Sequence, residues 1–377
     1  MKINFLVLTL GDLLRYSIKL VMKSLLFAPL SLLYGFGVFL RHKMFDFGIL
    51  KSVEFDIPIV CVGNIAVGGT GKTPHTEYLI SYLSQQYTVG VLSRGYGRKT
   101  HGFIEATRES SYRQIGDEPK QIKQKFPNIT VCVCEKRVEG IRKMRELHPE
   151  INLIILDDAF QHRYVEPWIN IVLVDINNPF YDDHLLPWGT LRDLKKQMNR
   201  AHTVIMTKVN RELSPIDFRI IKKKLGLLPY QKLFYTKIVN EELMPMFWSE
   251  HQPKPKDGGK IIVMTGIARP DSLYEYLEKK YEIVEKIVYP DHHAYKVYEL
   301  AKLEQTLKKY PEDTIIVVTE KDSVKLCNKN RISKVLQERL YFTPIGIEFL
   351  GDREVNFHNQ LNQYVRENQK YKIISSE

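Results

Sequence analysis

A chain of 377 residues that is 44% hydrophobic and 26% charged, with 21 glycines and 18 prolines, is neither disordered nor fibrous, and it exceeds what one hydrophobic core organises. Lysine and arginine outnumber the acids 55 to 44, and the net charge of +11 favours phosphate groups or an anionic membrane surface. No DNA- or RNA-binding motif accompanies the charge, which is spread along the chain, so nucleic acid is set aside; the four scattered cysteines exclude a disulfide scaffold and a four-thiolate zinc site and point to a reducing compartment.

The first 48 residues read as a membrane-associated helical segment. Residues 24–40 carry no charge, with Arg15, Lys19 and Lys23 before them and Arg41 and Lys43 after. The run falls slightly short of the roughly 20 residues of a span and contains Pro29, Gly35 and Gly37, so a helix lying in the interface fits it best. A spanning helix, and a helix packed on the protein's own core, stay open. No small-residue cleavage pattern follows, which argues against a signal peptide.

Residues 57–63 form a short apolar run ending in Gly63, as a buried parallel strand does, and helical periodicity follows. Similar runs recur at residues 88–92, 151–156, 169–174 and 203–206, separated by stretches long enough for crossover helices. Cys132 and Cys134 alternate within another strand-like run. This alternation predicts an α/β fold, a P-loop NTPase-like doubly wound and mainly parallel sheet over residues 49–228. A boundary is expected near Leu228-Pro229-Tyr230, with a polar, proline- and glycine-rich loop at 252–259 beyond it. A smaller α/β domain is predicted over residues 229–377, with strands at 260–265 and 314–319 and helices at 272–281 and 297–309.

The chemistry begins at Gly68-Gly69-Thr70-Gly71-Lys72-Thr73, between the first strand and the first helix of that sheet. In such a loop glycines let backbone N–H groups converge on phosphate oxygens, a lysine reaches the terminal phosphates, and a hydroxyl holds magnesium. Lys72 and Thr73 fill the last two roles. The strict pattern wants a further glycine where Ala66 stands, but Pro74 suits a helix start and supports the loop. Residues 154–156 then lead a strand into Asp157 and Asp158, the acids expected to bind magnesium directly or through water. Residues 93–98, Ser-Arg-Gly-Tyr-Gly-Arg, follow the second strand at the edge where such sheets bind ligands; Arg94 there is suited to clamping an anion, or the segment is a flexible basic turn.

Taken in order, these motifs with Gly116-Asp117-Glu118-Pro119, Leu156-Asp157-Asp158-Ala159-Phe160-Gln161-His162-Arg163, Leu185-Leu186-Pro187, Gly266-Ile267-Ala268-Arg269-Pro270, Asp291-His292-His293 and Thr319-Glu320-Lys321-Asp322 resemble the tetraacyldisaccharide 4'-kinase family over most of the chain. The resemblance implies transfer of the γ-phosphate of ATP, with magnesium, to the 4'-hydroxyl of an acylated glucosamine disaccharide 1-phosphate at the cytoplasmic face of a bacterial inner membrane. A lipid that cannot leave the bilayer cheaply would bring the enzyme to the membrane surface. No feature calls for an obligate protein partner.

Transfer to a sugar hydroxyl needs a group to receive the proton, and the resemblance implies Asp117 in that role, paired with His292. Taken alone, Asp117 is a turn residue and His292 a loop histidine. Arg137 and Tyr96 are implied as contacts to phosphate or sugar. Asp193 stands in Leu191-Arg192-Asp193 where the family more often has glutamate, which puts a magnesium role for it in doubt. Lys208, Lys321 and Asp322 follow strand-like runs and are implied to border the nucleotide base. The histidines near Asp291 lack a third spaced ligand, so no structural metal is expected. A switch GTPase or metallochaperone-like ATPase and a non-enzymatic nucleotide-binding adaptor share the loop and the acids. Neither has an evident need for the apolar N-terminus together with Asp117 and His292.

Overall fold

A computed structural model describes residues 10–250, 252–267, 270–291, 293–351 and 353–375. The chain divides into two compact units, each discontinuous in sequence: one holds residues up to Lys72, 158–236 and 350 onward, the other residues 73–157 and 237–349. The fold is α/β, as predicted.

In the first unit, strands Ile59–Gly63, Ile169–Asp175 and Thr203–Thr207 run parallel, and the start of strand Lys232–Asn240 adds a fourth. The first three are buried along their whole length, so their sequences are mainly apolar with only occasional polar residues. Gly63 allows a close approach: a Cβ there would lie 2.6 Å from that of Phe160. Helix Glu354–Ser375 belongs to this unit, and its Phe357 meets Phe234 edge to face with ring centroids 5.3 Å apart.

The N-terminal helix Leu10–Asp46 joins the same unit. Over residues 27–46 its buried positions are Ser31, Gly35, His42 and Phe45, one stripe at helical spacing. Ser31 Oγ donates to the Leu185 carbonyl at 2.9 Å, and a Cβ on Gly35 would meet the Leu185 side chain at 2.8 Å. Leu32, Leu33, Phe36 and Leu40 are instead exposed, at 50% or more, reversing the usual apolar-inside pattern. No helix among the described residues is long and apolar enough to cross a membrane.

In the second unit, strands Leu153–Asp157, Val89–Ser93 and Thr130–Val133 lie parallel in that order, with Ile104–Glu105 antiparallel at the end. The helix Lys72–Leu83 lies almost wholly in this unit. Cys132 and Cys134 are buried, as the alternation predicts, and burial lifts the Cys132 thiol to about 12, so it is inert at neutral pH.

A separate five-stranded sheet follows in the order Glu282–Val288, Lys260–Thr265, Ile315–Thr319, Leu340–Thr343, Met244–Pro245. Alternate residues of its central strands face opposite cores. Ile262, Met264, Ile316 and Val318 pack with Leu300, Leu303 and Leu307 of helix Val297–Leu307, whereas Ile261, Val263, Ile315 and Val317 pack with Leu273 and Leu277 of helix Asp271–Leu277. The helix at 272–281 thus ends four residues earlier than its periodicity predicts.

Candidate active site

In the first unit the loop after Ile59–Gly63 carries the phosphate-binding signature. Gly68 and Gly71 adopt φ of +109° and +87°, where a side chain would be strained. Ala66 has no such demand: it bridges Leu191 in antiparallel register, and Val67 N donates to Thr190 O at 2.8 Å. An extended residue tolerates a Cβ, which explains alanine at the position of the missing glycine. Gly69 has open space where its Cβ would stand. Thr70 is buried and pinned, its Oγ1 accepting from Asn64 Nδ2 at 2.9 Å and its carbonyl accepting from Thr207 Oγ1 at 2.9 Å.

Lys72 Nζ lies 3.7 Å from Asp158 Oδ2, so two predicted residues meet. Asp158 sits at φ +46°, an unusual backbone for a non-glycine residue and one common at functional turns. Arg192 grips its carboxylate with both terminal nitrogens and also reaches the Asn64 side chain. Gln161 Nε2 donates to Asn64 O at 2.7 Å. Arg192, Asn64 and Gln161 lie within predicted motifs, yet sequence reasoning gave them no role; pairing across more than 90 positions leaves no local signal.

Asp193 points elsewhere. Its Oδ1 is 2.6 Å from His42 Nε2 of the N-terminal helix, both side chains nearly fully buried, and it also accepts from Leu194 N at 2.9 Å. The helix makes further contacts nearby: Tyr34 Oη donates to Arg192 O at 2.9 Å and Arg41 Nη2 to Gln161 O at 3.0 Å. Lys208, at φ +59°, pairs with Asp175 at 2.7 Å.

In the second unit Thr73 follows the loop within the first turn of helix Lys72–Leu83. Asp157 ends its strand buried, its two oxygens accepting from Thr76 Oγ1 at 3.1 Å and Ser93 Oγ at 3.2 Å. Those hydroxyls orient the carboxylate and satisfy part of its demand. After Ser93 the chain turns at Gly95 and Gly97, φ +72° and +74°, and leaves Arg94 and Tyr96 exposed. Arg137 is different: buried, its Nη1 donates to Cys134 O at 3.0 Å and Glu135 O at 3.3 Å.

Asp117 is the first residue of helix Asp117–Lys125 and follows Gly116 at φ +96°. A Cβ on Gly116 would approach Tyr96 O at 3.0 Å, so the turn carrying Asp117 is seated on the turn carrying Arg94 and Tyr96. Asp117 Oδ2 lies 3.6 Å from Lys325 Nζ, a partner the sequence did not disclose. His292 lies outside the described residues. Lys321 pairs with Asp291 at 2.9 Å, and buried Asp322 accepts from Gly266 N at 2.9 Å and from Thr319 Oγ1 at 2.6 Å. Burial and the Asp322 carboxylate together hold the Tyr295 phenol protonated far above its ordinary range.

A second charged group ties the same helices together. Lys125 Nζ lies 2.8 Å from Glu77 Oε2 of the helix after the phosphate loop and 3.1 Å from Glu320 Oε1. Burial, and then the nearby Glu320 charge, raise Glu77 to about 7 despite Lys125 and the hydrogen bond from Gln121.

No cluster of three or more metal-ligating side chains occurs among the described residues. Magnesium held with a nucleotide needs fewer, one or two carboxylates beside water and phosphate, and within the second unit Thr73 and Asp157 are donors of that chemistry.

Comparison with known proteins bears on this assembly. A family model for tetraacyldisaccharide-1-P 4'-kinase matches residues 23–366. The tetraacyldisaccharide 4'-kinase of Phocaeicola vulgatus is 44% identical over 348 residues, 91% of this chain and 95% of that protein. That of Bacteroides fragilis is 43% identical over 348 residues, 90% of this chain and 93% of that protein. Among solved structures, LpxK from Aquifex aeolicus in complex with ATP superposes with a TM-score of 0.71 at 25% identity, covering 92% of this chain and 99% of that chain.

Proposed function

Because the chain belongs to the tetraacyldisaccharide-1-P 4'-kinase family, we propose that it transfers the γ-phosphate of ATP to the 4'-hydroxyl of a tetraacyldisaccharide 1-phosphate, giving the bisphosphorylated lipid A precursor, lipid IVA. The observation that carries this reading is the phosphate loop with Lys72 beside Asp158, in a chain matched to that family over nearly its whole length.

In this reading the N–H groups of the loop over Gly68, Gly69, Thr70, Gly71, Lys72 and Thr73 hold the ATP phosphates, and the Lys72 ammonium meets the charge that develops on the transferred group. Asp117 accepts the proton as the sugar oxygen bonds to the γ-phosphorus and the bond to the β-phosphate oxygen breaks, so ADP leaves. His292 orients that carboxylate. Arg94 and Tyr96, exposed on the adjoining turn, are the contacts to substrate together with Arg137, whose Nη1 is held by the Cys134 and Glu135 carbonyls. Magnesium, held by Thr73, Asp157 and Asp158 with the nucleotide, would neutralise phosphate charge. Residues 49–228 would form the nucleotide-holding domain and 229–377 the smaller one.

The N-terminal helix supports a place on the cytoplasmic face of the inner membrane. It turns Ser31, Gly35 and His42 toward the protein and leaves leucine and phenylalanine outward, flanked by Arg41 and Lys43, as a helix at a lipid surface requires. Incubating the purified protein with labelled ATP, magnesium and the tetraacyldisaccharide 1-phosphate in detergent should yield a labelled lipid. Label recovered only as free phosphate would refute the kinase reading. Leu32→Glu with Leu33→Glu should release the protein from vesicles containing anionic lipid; undiminished binding would place the anchor elsewhere.

A further inference from the structure

We propose that Lys325 is a positioning residue that holds the Asp117 carboxylate in its working orientation, a role that rests on the reading of Asp117 as proton acceptor. The side chain of Lys325 is 1% exposed. An ammonium taken that far from water persists only where acids compensate it. Two do so, Asp117 Oδ2 at 3.6 Å and Asp322 Oδ1 at 3.7 Å. Among the described residues Lys325 Nζ has no hydrogen-bond partner, so it sits between the two carboxylates, held by charge.

The two acids are not equivalent. Asp322 is a fixed post: fully buried, it accepts from Gly266 N at 2.9 Å and Thr319 Oγ1 at 2.6 Å, and its own N–H donates back to Thr319 Oγ1 at 3.1 Å. Lys325 N in turn donates to Asp322 O at 3.0 Å, so the lysine backbone is tied to the same post. Asp117, in contrast, retains 14% side-chain exposure. Its backbone is fixed by Gly116 seated on the Gly95–Tyr96 turn, so that orienting the group means restricting the rotation of its carboxylate. Lys325 restricts it by linking the post to the acid, beside the orienting role proposed for His292. Lys125, at the far end of the helix that Asp117 begins, cannot substitute, because Glu77 and Glu320 already engage it.

A residue that acts only by orienting another has a distinct kinetic signature: its loss lowers kcat, leaves the KM for ATP alone, and costs nothing further once the oriented group is gone. The experiment is a double-mutant cycle of Lys325→Met and Asp117→Ala, each assayed with ATP, magnesium and tetraacyldisaccharide 1-phosphate in detergent, with thermal melting to confirm folding. Lys325→Met should lower kcat about tenfold at constant KM for ATP, and the double variant should match Asp117→Ala alone. Lys325→Arg, which keeps the charge, should recover part of the loss. Unchanged kcat in Lys325→Met, or losses that multiply in the double variant, would overturn the proposal while leaving Asp117 as the base. Wild-type kcat in Asp117→Ala would instead remove the base assignment, and the role of Lys325 with it. If Lys325→Met does not fold, Lys325→Gln, which keeps a donor without the charge, is judged by the same cycle.

Discussion

Two charged clusters in this molecule differ chiefly in how much water reaches them. Asp158 keeps 27% side-chain exposure and faces Arg192 at 23% and Lys72 at 12%, whereas Asp322 and Lys325 stand at 0% and 1%. Partly hydrated ion pairs are worth little to the fold and exchange partners easily, which suits groups that must release one another when a polyphosphate arrives. Buried charges do not exchange cheaply, because removing one strands the other in a medium that cannot solvate it. On the proposed function, the first cluster is suited to rearrangement by a polyphosphate and the second to holding its geometry throughout.

That contrast breaks most visibly at Lys72. Lys72→Ala should lower kcat about 10³-fold, measured as initial rate of lipid phosphorylation, while the melting temperature stays within a few degrees. Asp322→Ala should show the reverse balance, costing about 3 kcal/mol in a denaturant titration because Lys325 loses a counter-charge while Gly266 N and Thr319 Oγ1 lose their acceptor. Asp117→Ala should lower kcat about 10²-fold with ATP affinity unchanged; equal kcat would exclude Asp117 as base. Arg192→Gln, which frees both Asp158 and Asn64, should reduce kcat/KM for ATP about tenfold yet move stability by under about 1 kcal/mol.

The smallest effect is a matter of pH. Glu77 is raised from 4.5 to about 7 chiefly by burial, so the fold favours its protonated form. That contribution is complete below the unfolded value of 4.5 and is lost as pH rises through about 7. Glu77→Gln mimics the protonated acid, so its melting temperature relative to wild type should rise between about pH 5 and about pH 8. A constant difference would mean that Lys125 offsets the burial of Glu77 in full.

How much of this can be read from the residues alone depends on whether the physics is local. Ile59–Gly63, Ile169–Asp175 and Ile315–Thr319 announce themselves because parallel strands buried on both faces are mostly apolar runs. Strand Glu282–Val288 goes unread because Glu282 and Lys286, exposed at the edge of its sheet, and half-buried Glu285 break such a run. The phosphate loop is local and legible, and the structure adds only why Ala66 is tolerated. Lys325 beside Asp117 and His42 beside Asp193 are pairings across more than 150 positions, which no periodicity records. The N-terminal helix is an intermediate case. Its apolar run is plain in the sequence, but that the helix docks through serine, glycine and histidine, leaving leucines outside, emerges only once Leu185 and Asp193 are brought against it.

The proposed reaction is defined by where the phosphate goes. The lipid product formed from ATP and the tetraacyldisaccharide 1-phosphate should be isolated and its phosphate positions assigned by tandem mass spectrometry and phosphorus NMR. One new phosphomonoester at the 4' position, absent with Lys72→Ala, is the predicted result. ATP turnover that leaves the lipid unmodified, or a phosphate on any other hydroxyl, would contradict it.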